Sequence, residues 1–271
     1  MYTNARSLVS KIDHLEVLIN DEKPHLVLIT ETWCNDGISN SNLNIDGYYI
    51  DDDLRIDKRE TARGTGGGII VYVRKDVIVK CDNDDNSFSQ YCKFSIIDKN
   101  VKNPMNVILF YRSPNSSLDN NSDLVKLIKN SKKNCFVIGD ANYPRLNDLH
   151  YIDCEDDIPS KLRSGQMCVN AAVEKNMTQI VDFATHIKGN ILDIIYTDIP
   201  ESVVSCESLG NLGNSDHDVI RLEVIFDPKF NARTEKIRNW RICPKLILID
   251  FCRIKMLTSA GRPFRQLSMM L

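Results

Sequence analysis

The segment Asn214-Ser215-Asp216-His217-Asp218 sets a histidine among carboxylates, directly ahead of an apolar, β-rich run, Val219-Ile220-Arg221-Leu222-Glu223-Val224-Ile225. A histidine with a pKa near neutrality can take a proton from water or give one to a leaving group, and a carboxylate behind it fixes the tautomer and favours the imidazolium. His217 is thus a candidate acid/base group and Asp216 its orienting carboxylate. Ser-Asp-His is also an ordinary surface turn, so the reading depends on what other chemistry the chain places beside it.

Several apolar runs end in polar groups that a packed core would not choose. Leu26–Ile29 leads to Thr30-Glu31-Thr32-Trp33, Val107–Phe110 to Tyr111-Arg112-Ser113-Pro114-Asn115, Cys135–Ile138 to Gly139-Asp140-Ala141-Asn142, and Ile191-Leu192 to Asp193. A carboxylate leaving an apolar strand is costly to bury unpaired, which makes a cation its natural partner. Glu31, Asp140 and Asn142 offer hard oxygens of the kind magnesium takes while keeping waters and a substrate phosphate in its shell. Taken singly each has a simpler explanation, Asp140 and Asn142 forming an Asx turn for example. If the strands run parallel or alternate about one sheet edge, the whole set converges in one cleft.

The elements that must position these residues are legible from apolar spacing. Leu8, Ile12, Leu15, Leu18 and Ile19 predict an amphipathic helix over 7–20, capped by Ser7 and ended by Pro24. Strand-length runs follow at His25–Thr30, Ile69–Val73, Val107–Tyr111, Cys135–Gly139, Ile191–Tyr196 and Val219–Ile225, their near-continuous apolarity implying cover on both faces. Further helices are expected from Ser122 to Lys129 and around Cys168–Lys175. Asn35–Gly68, with Asp51-Asp52-Asp53 and the glycines from Gly64 to Gly68, reads as a polar loop whose glycines permit a bulge or a close backbone approach. Buried strands with few helices between them suggest an α/β fold of two packed mixed sheets with helices outside, a four-layer sandwich.

Composition sets the outer bounds. With 271 residues, 42% hydrophobic and 26% charged, the chain suits one large soluble core, and the expected compartment is intracellular. No run approaches a membrane span. Nine scattered cysteines, none in a C-x-x-C pair, read as reduced thiols. The net charge of -3 leaves no overall footprint for nucleic acid, yet the stretch from Lys229 to Arg265 is basic. This divides the chain into a domain over 1–226 and a basic, partly ordered linker or tail over 227–271.

The order Thr3-Asn4-Ala5-Arg6-Ser7-Leu8, Glu31-Thr32-Trp33, Gly66-Gly67-Gly68, Tyr111-Arg112-Ser113-Pro114, Gly139-Asp140-Ala141-Asn142, Ile191-Leu192-Asp193-Ile194 and Ser215-Asp216-His217 resembles the endonuclease/exonuclease/phosphatase superfamily. More narrowly, it resembles the apurinic-like endonuclease domain of non-LTR retrotransposons, over about Thr3 to Ile225. The resemblance implies that Asn4 and Glu31 bind Mg2+ or Mn2+, and that Tyr111 contacts the scissile phosphate. Asp140 and Asn142 would position the attacking water and phosphate oxygens, with Asp193 in the same cleft and His217, oriented by Asp216, completing the site. It further implies a DNA-nicking enzyme, nuclear when acting on DNA, whose 3′ hydroxyl product primes reverse transcription by a domain downstream in the same polyprotein.

Three features depart from that family's pattern. Asn4 lies so near Met1 that the first strand is expected to be truncated and Asn4 poorly anchored. Ala141 replaces the usual aromatic of the Gly-Asp-Phe-Asn motif, removing packing beneath Asp140 and Asn142. Asn239-Trp240-Arg241 resembles the start of a linker towards a polymerase that the chain does not contain. Two other readings therefore stand beside the nuclease: an inactive relic that at most binds nucleic acid or protein, and a hydrolase of small phosphodiesters. Trp33, Tyr48, Tyr49 and Arg112 suit either a DNA groove or plain packing and stay outside the candidate set.

Overall fold

The computed structural model describes residues 1–58, 66–82, 86–98, 103–143 and 162–225, all within one compact unit, Met1–Pro228. The basic segment 227–271, with Asn239-Trp240-Arg241, lies outside the described residues, as do Gly64 and Thr65. Among the described residues there are two six-stranded sheets, ordered β11-β12-β1-β2-β4-β3 and β5-β6-β7-β8-β10-β9. The first holds β1 (Tyr2–Asn4), β2 (Leu26–Thr30), β3 (Tyr48–Ile56), β4 (Ile69–Arg74), β11 (Val203–Asn211) and β12 (Asp218–Val224). The second holds β5 (Ile78–Cys81), β6 (Tyr91–Ile97), β7 (Met105–Tyr111), β8 (Cys135–Asp140), β9 (Thr178–Gln179) and β10 (Asp193–Thr197).

Each sheet has one parallel pair at its centre, β1 with β2 and β7 with β8, and antiparallel neighbours around it. A parallel pair needs a crossover. Helix α1 (Ile12–Glu22) supplies the first and α2 (Leu118–Lys129) the second, with α3 (Arg163–Glu174) beside α2. Because successive side chains of a strand alternate in face, each central strand serves two cores. Leu26 and Leu28 face Val107, Leu109, Phe136 and Ile138 between the sheets, whereas Val27 and Ile29 meet Leu15 and Ile19 of α1. Ile108, Phe110 and Val137 likewise meet Leu124, Leu127 and Ile128 of α2 and Cys168 and Val169 of α3. The result is the four-layer order of helix, sheet, sheet and helices.

The differences from expectation are local. Residues 5–8 do not start a helix. Their backbone keeps pairing alongside β2, with Ala5, Ser7 and Leu8 donating to the carbonyls of Thr30, Glu31 and Thr32. Ser7 has φ 78° and caps nothing; a short 3-10 turn at Val9–Lys11 precedes α1. The helix then runs on to Glu22, where Lys23 closes it at φ 47°. Residues 35–68 are not one loop, since they include β3, an edge strand with exposed acids and a register shift between Ile50 and Arg55. The first strand is short at three residues, but it pairs with β2 on one side and β12 on the other, and Asn4 is buried and fixed. The described cysteines, Cys34, Cys81, Cys92, Cys135, Cys168 and Cys206, are free thiols. No described helix is long and apolar enough to cross a membrane.

Candidate active site at the carboxyl ends of the central strands

Parity and strand direction together bring the polar residues to one place. Asn4 ends β1, Tyr111 ends β7 and Asp140 ends β8, with Glu31 one residue past β2. β10 and β12 run antiparallel to these, so their beginnings lie at the same edge, and there stand Asp193 and, one residue before β12, His217. Tyr111 and Asp140 are an even number of residues from the inward-facing Leu109 and Ile138, which turns them into the seam between the sheets. The ends of parallel strands are the usual ligand site of such sheets.

Asp140 is fully engaged. Its Oδ1 accepts from the Asn142 backbone N–H at 2.9 Å; its Oδ2 accepts from Asn4 Nδ2 and Asn142 Nδ2, each at 2.8 Å. Asn142 sits in the left-handed region at φ 49° and also donates to the Arg112 carbonyl at 2.9 Å. The loop is not loosened by Ala141, which is buried and donates its N–H to the Leu192 carbonyl. Arg112 does the bracing: its guanidinium is buried, stacks 3.8 Å from the Tyr143 ring centre and donates to Asn121 Oδ1 and to the carbonyls of Ala141 and Asn142.

Asp193 is the register partner of Asp140, so two carboxylates face each other across an antiparallel pair, an arrangement that repels unless it is compensated. Burial and the Asp193 charge hold the Asp140 carboxyl well above the usual range, against the opposing pull of His217, Asn142 and Asn4. Asp193 Oδ1 accepts from the Tyr2 hydroxyl at 2.7 Å, and Oδ2 lies 2.7 Å from His217 Nδ1. An ionised carboxylate only accepts, so Nδ1 carries the proton and Nε2 is left for substrate. Burial alone would lower the His217 pKa; the hydrogen bond and charge of Asp193, with Asp140 and Asp216, carry it up to about 9.

His217 is therefore oriented by Asp193 and not by Asp216. Asp216 turns the other way, to the Arg6 guanidinium and to His186 Nε2 at 3.3 Å. At the bend that precedes β12 the Asp216 carboxylate is taken up by Arg6 and His186, and His217 alone pairs with Asp193 in the seam.

Glu31 is held on a strained loop, with Glu31 at φ 52° and Trp33 at φ 56°. Trp33 and Thr32 donate their N–H groups to the carbonyls of Gly67 and Gly68, an approach so close that a Cβ on Gly68 would lie 2.3 Å from Thr32 Oγ1. The Glu31 carboxylate accepts from the Tyr111 hydroxyl and, at 2.5 Å, from Trp33 Nε1. Tyr111 thus sits between Glu31 and the Asp140 side of the site, its pKa raised by burial and by Glu31. The hard oxygens of Glu31 and Asn4, beside a pair of buried carboxylates with one imidazole between them, suit a divalent cation. Among the described residues the tight acid and histidine group here is Asp140, Asp193 and His217, with ligand atoms within 4.8 Å of one another; Glu31 stands outside it.

The sequence left several working residues unnamed. Tyr2, two residues before Asn4 and so of the same parity, reaches Asp193 and receives the Thr30 hydroxyl at 3.1 Å. Thr185 Oγ1 accepts from the backbone of Leu192 and Asp193, and Ser215 Oγ links the Asn4 carbonyl to the His217 N–H. His186 packs edge-on against the His217 ring, centres 4.9 Å apart.

The chain matches the family model described as the Endonuclease/Exonuclease/phosphatase family over residues 1–217. It belongs to that family, whose members are metal-dependent phosphodiester hydrolases. No curated protein matches it in sequence. Among solved structures, it is similar to the endonuclease domain of TRAS1, a telomere-specific non-LTR retrotransposon, at TM-score 0.59 and 14% identity, over 82% of this chain and 96% of that one. An AP endonuclease from Archaeoglobus fulgidus gives 0.57 and 15%, over 82% and 98%. The 3′ phosphatase NExo from Neisseria, bound to a product DNA hairpin, gives 0.59 and 14%, over 83% and 99%. These likenesses confirm the sandwich fold.

The ion pair of His217 makes a prediction about stability. The folded state binds the His217 proton more tightly than the unfolded chain does, with a pKa of about 9 against 6.5. The resulting stability is fully present below about pH 6.5 and is lost as pH rises through 9, up to about 3 kcal/mol in all. The Met1 amine, lowered by burial to about 6, works in the opposite direction between pH 6 and 8. The His217 contribution is therefore read as the difference in unfolding free energy between wild type and His217→Gln. That difference should shrink from pH 6.5 to pH 8.5; a constant difference would mean that His217 gains no proton affinity on folding.

Proposed function

We propose that the chain is a magnesium- or manganese-dependent DNA endonuclease of the non-LTR retrotransposon kind, nicking one strand to leave a 3′ hydroxyl that primes reverse transcription. Such an enzyme acts in the nucleus and works with a reverse transcriptase. The observation that carries the reading is the buried Asp193–His217 pair, aimed beside Asp140, Asn142 and Asn4 at one end of the seam. The likeness to the TRAS1 endonuclease domain and to a nuclease-fold enzyme bound to DNA supports the substrate class.

The side chains divide the chemistry of phosphodiester hydrolysis between them. His217 is ion-paired with Asp193 and keeps its proton, so its Nε2–H meets the negative charge that gathers on the phosphate oxygens. Asp140 is then the carboxylate left to take the proton of the attacking water, steadied by its three N–H donors. The Asn142 amide, both of its N–H groups donated to the Arg112 carbonyl and to Asp140, holds that carboxylate in place. The Tyr111 hydroxyl would exchange Glu31 for a non-bridging oxygen, a donor of that kind being typically worth about 3 kcal/mol of barrier. Glu31 and Asn4 would hold a divalent ion, which would supply further charge neutralisation at the phosphate.

The test is relaxation of supercoiled plasmid by single nicks in magnesium, with a chelator control. Open-circle product that disappears with chelator and with Asp140→Ala supports the reading. A cooperatively folded protein that leaves plasmid intact would refute it. Intact plasmid together with hydrolysis of a small soluble phosphodiester would transfer the activity to that substrate class.

A further inference from the structure

Asp216 has no part in the chemistry above, yet it is largely buried and held between two cations or potential cations. Its Oδ2 pairs with the Arg6 guanidinium and lies 3.3 Å from His186 Nε2. The backbone N–H of Lys188 donates to His186 Nδ1 at 3.1 Å. That nitrogen is therefore an acceptor, and the ring proton sits on Nε2, facing Asp216. His186, Asp216 and His217 bring three ligand atoms within 4.8 Å of one another, the spacing of a metal site. Asp216 Oδ2 is already paired with Arg6 and His217 Nδ1 with Asp193, while Asp216 Oδ1 is buried with no hydrogen-bond partner among the described residues. The cation of this cluster is the guanidinium itself.

Arg6 is also unusually well fixed for an exposed arginine. Its backbone N–H donates to Asn4 Oδ1 at 3.1 Å, and its carbonyl accepts from Lys11 Nζ at 2.8 Å. Its φ of 44° is followed by Ser7 at 78°, a left-handed turn that flanking pairing to Thr30, Glu31 and Thr32 holds in place. The side chain is 55% exposed, so it stands at the rim, two residues from Asn4 and paired to the neighbour of His217. A guanidinium carries five N–H donors in a planar fork, and Asp216 is its partner among the described residues. The donors that remain suit phosphate oxygens, and a fork already held by a carboxylate loses less freedom on binding.

We infer that Arg6, aimed by Asp216 and His186, is a clamp for a backbone phosphate of the DNA beside the bond that is cut. Asp216 is on this account a positioning residue, acting through Arg6. The inference rests on the proposed DNA substrate and names a phosphate contact for it.

The test is binding of a fluorescent duplex oligonucleotide by anisotropy, in chelator so that no strand is cut, over a series of KCl concentrations. Wild type, Arg6→Gln and Arg6→Lys are compared, each checked for cooperative melting. Arg6→Gln should bind about ten-fold more weakly, and the magnitude of its slope of log affinity against log salt should fall by about one, the signature of one lost phosphate contact. Arg6→Lys should restore the slope and part of the affinity, because a charge remains while the fork is lost. Unchanged affinity and slope in Arg6→Gln overturn the inference, as does a loss with unchanged slope that Arg6→Lys does not recover, which would mark a structural role. Wild type that does not bind DNA overturns the proposed function and this clamp with it, whereas wild-type binding with an indifferent Arg6→Gln overturns the clamp alone.

Discussion

Replacing Asp193 by Asn should lower the rate of strand nicking by about 10^3- to 10^4-fold, some 4–5 kcal/mol of barrier, while leaving the fold in place. The size of the loss follows from proton placement. In the native site the carboxylate accepts from Tyr2 on one oxygen and from His217 Nδ1 on the other. An amide can still accept from Tyr2, but its NH2 then faces His217 and demands a lone pair on Nδ1. The ring proton moves to Nε2 and the imidazolium loses the charge that stabilised it, so a neutral ring meets the phosphate at the moment charge develops there. The buried side-chain volume is unchanged and the relieved repulsion between Asp193 and Asp140 offsets part of the lost His217 ion pair, so the protein should still fold cooperatively, with a lower melting temperature at neutral pH. Single-turnover nicking in magnesium, with calorimetry on the same preparation, measures both. A loss below ten-fold would show that the pair does not set the protonation of His217. The corresponding change at Asp216, the smallest of the charges that raise His217, should act mainly on DNA binding, which separates the two carboxylates that flank the histidine.

That separation marks the boundary of what the sequence could show. The six apolar runs each became a strand within a few residues of their expected limits. Five did so because a strand covered on both faces leaves an almost unbroken apolar signature, whereas β12 is buried only at Val219 and Ile220 and is not covered on both faces as expected. The site residues were legible for a related reason: Glu31, Asp140 and Asp193 each interrupt such a run with a group that is costly to bury. Edge strands leave no such mark. β3, β5 and β11 are exposed on one side or more, so their polar and apolar residues mix as they do in loops. Partners across the sheets were equally hidden. The adjacency of Asp216 and His217 in sequence suggested that they pair, yet Asp216 sits at a bend where Arg6 and His186 take up its carboxylate, and the partner of His217 lies 24 residues away at the start of another strand. Tyr2 could have been found by its parity with Asn4. Nothing in the sequence announces the edge-on packing of His186, which depends on an isolated bridge between residues 186 and 217.

Gly139 illustrates a residue whose importance the sequence only half reveals, and its substitution by Ala should cost about 4–5 kcal/mol of stability, enough to leave little folded protein at 37 °C. It reads as the end of an apolar run before Asp140. In the structure it pairs with Phe110 in the parallel ladder of β7 and β8, between the register partners Leu109 with Ile138 and Tyr111 with Asp140. A Cβ placed on Gly139 would lie 2.0 Å from the Phe110 carbonyl oxygen and 2.9 Å from both the carbonyl carbon and Cδ1 of the Phe110 ring. The obstacle is chiefly backbone, so no rotamer change relieves it. The strands must part or slide, and either movement breaks the ladder at the step that sets Tyr111 beside Asp140. Phe110 cannot yield outward either, since it is buried against Phe88 and the core beneath α2. The measurement is urea unfolding at 15 °C, where residual folded protein can still be assayed for nicking. A loss below about 1 kcal/mol would mean that β7 and β8 are less tightly apposed than the geometry requires. A large loss in stability with full activity in the surviving fraction would show that the close approach serves the fold without fixing the spacing of Tyr111 and Asp140, so that the site tolerates more freedom between the central strands than its hydrogen bonds imply.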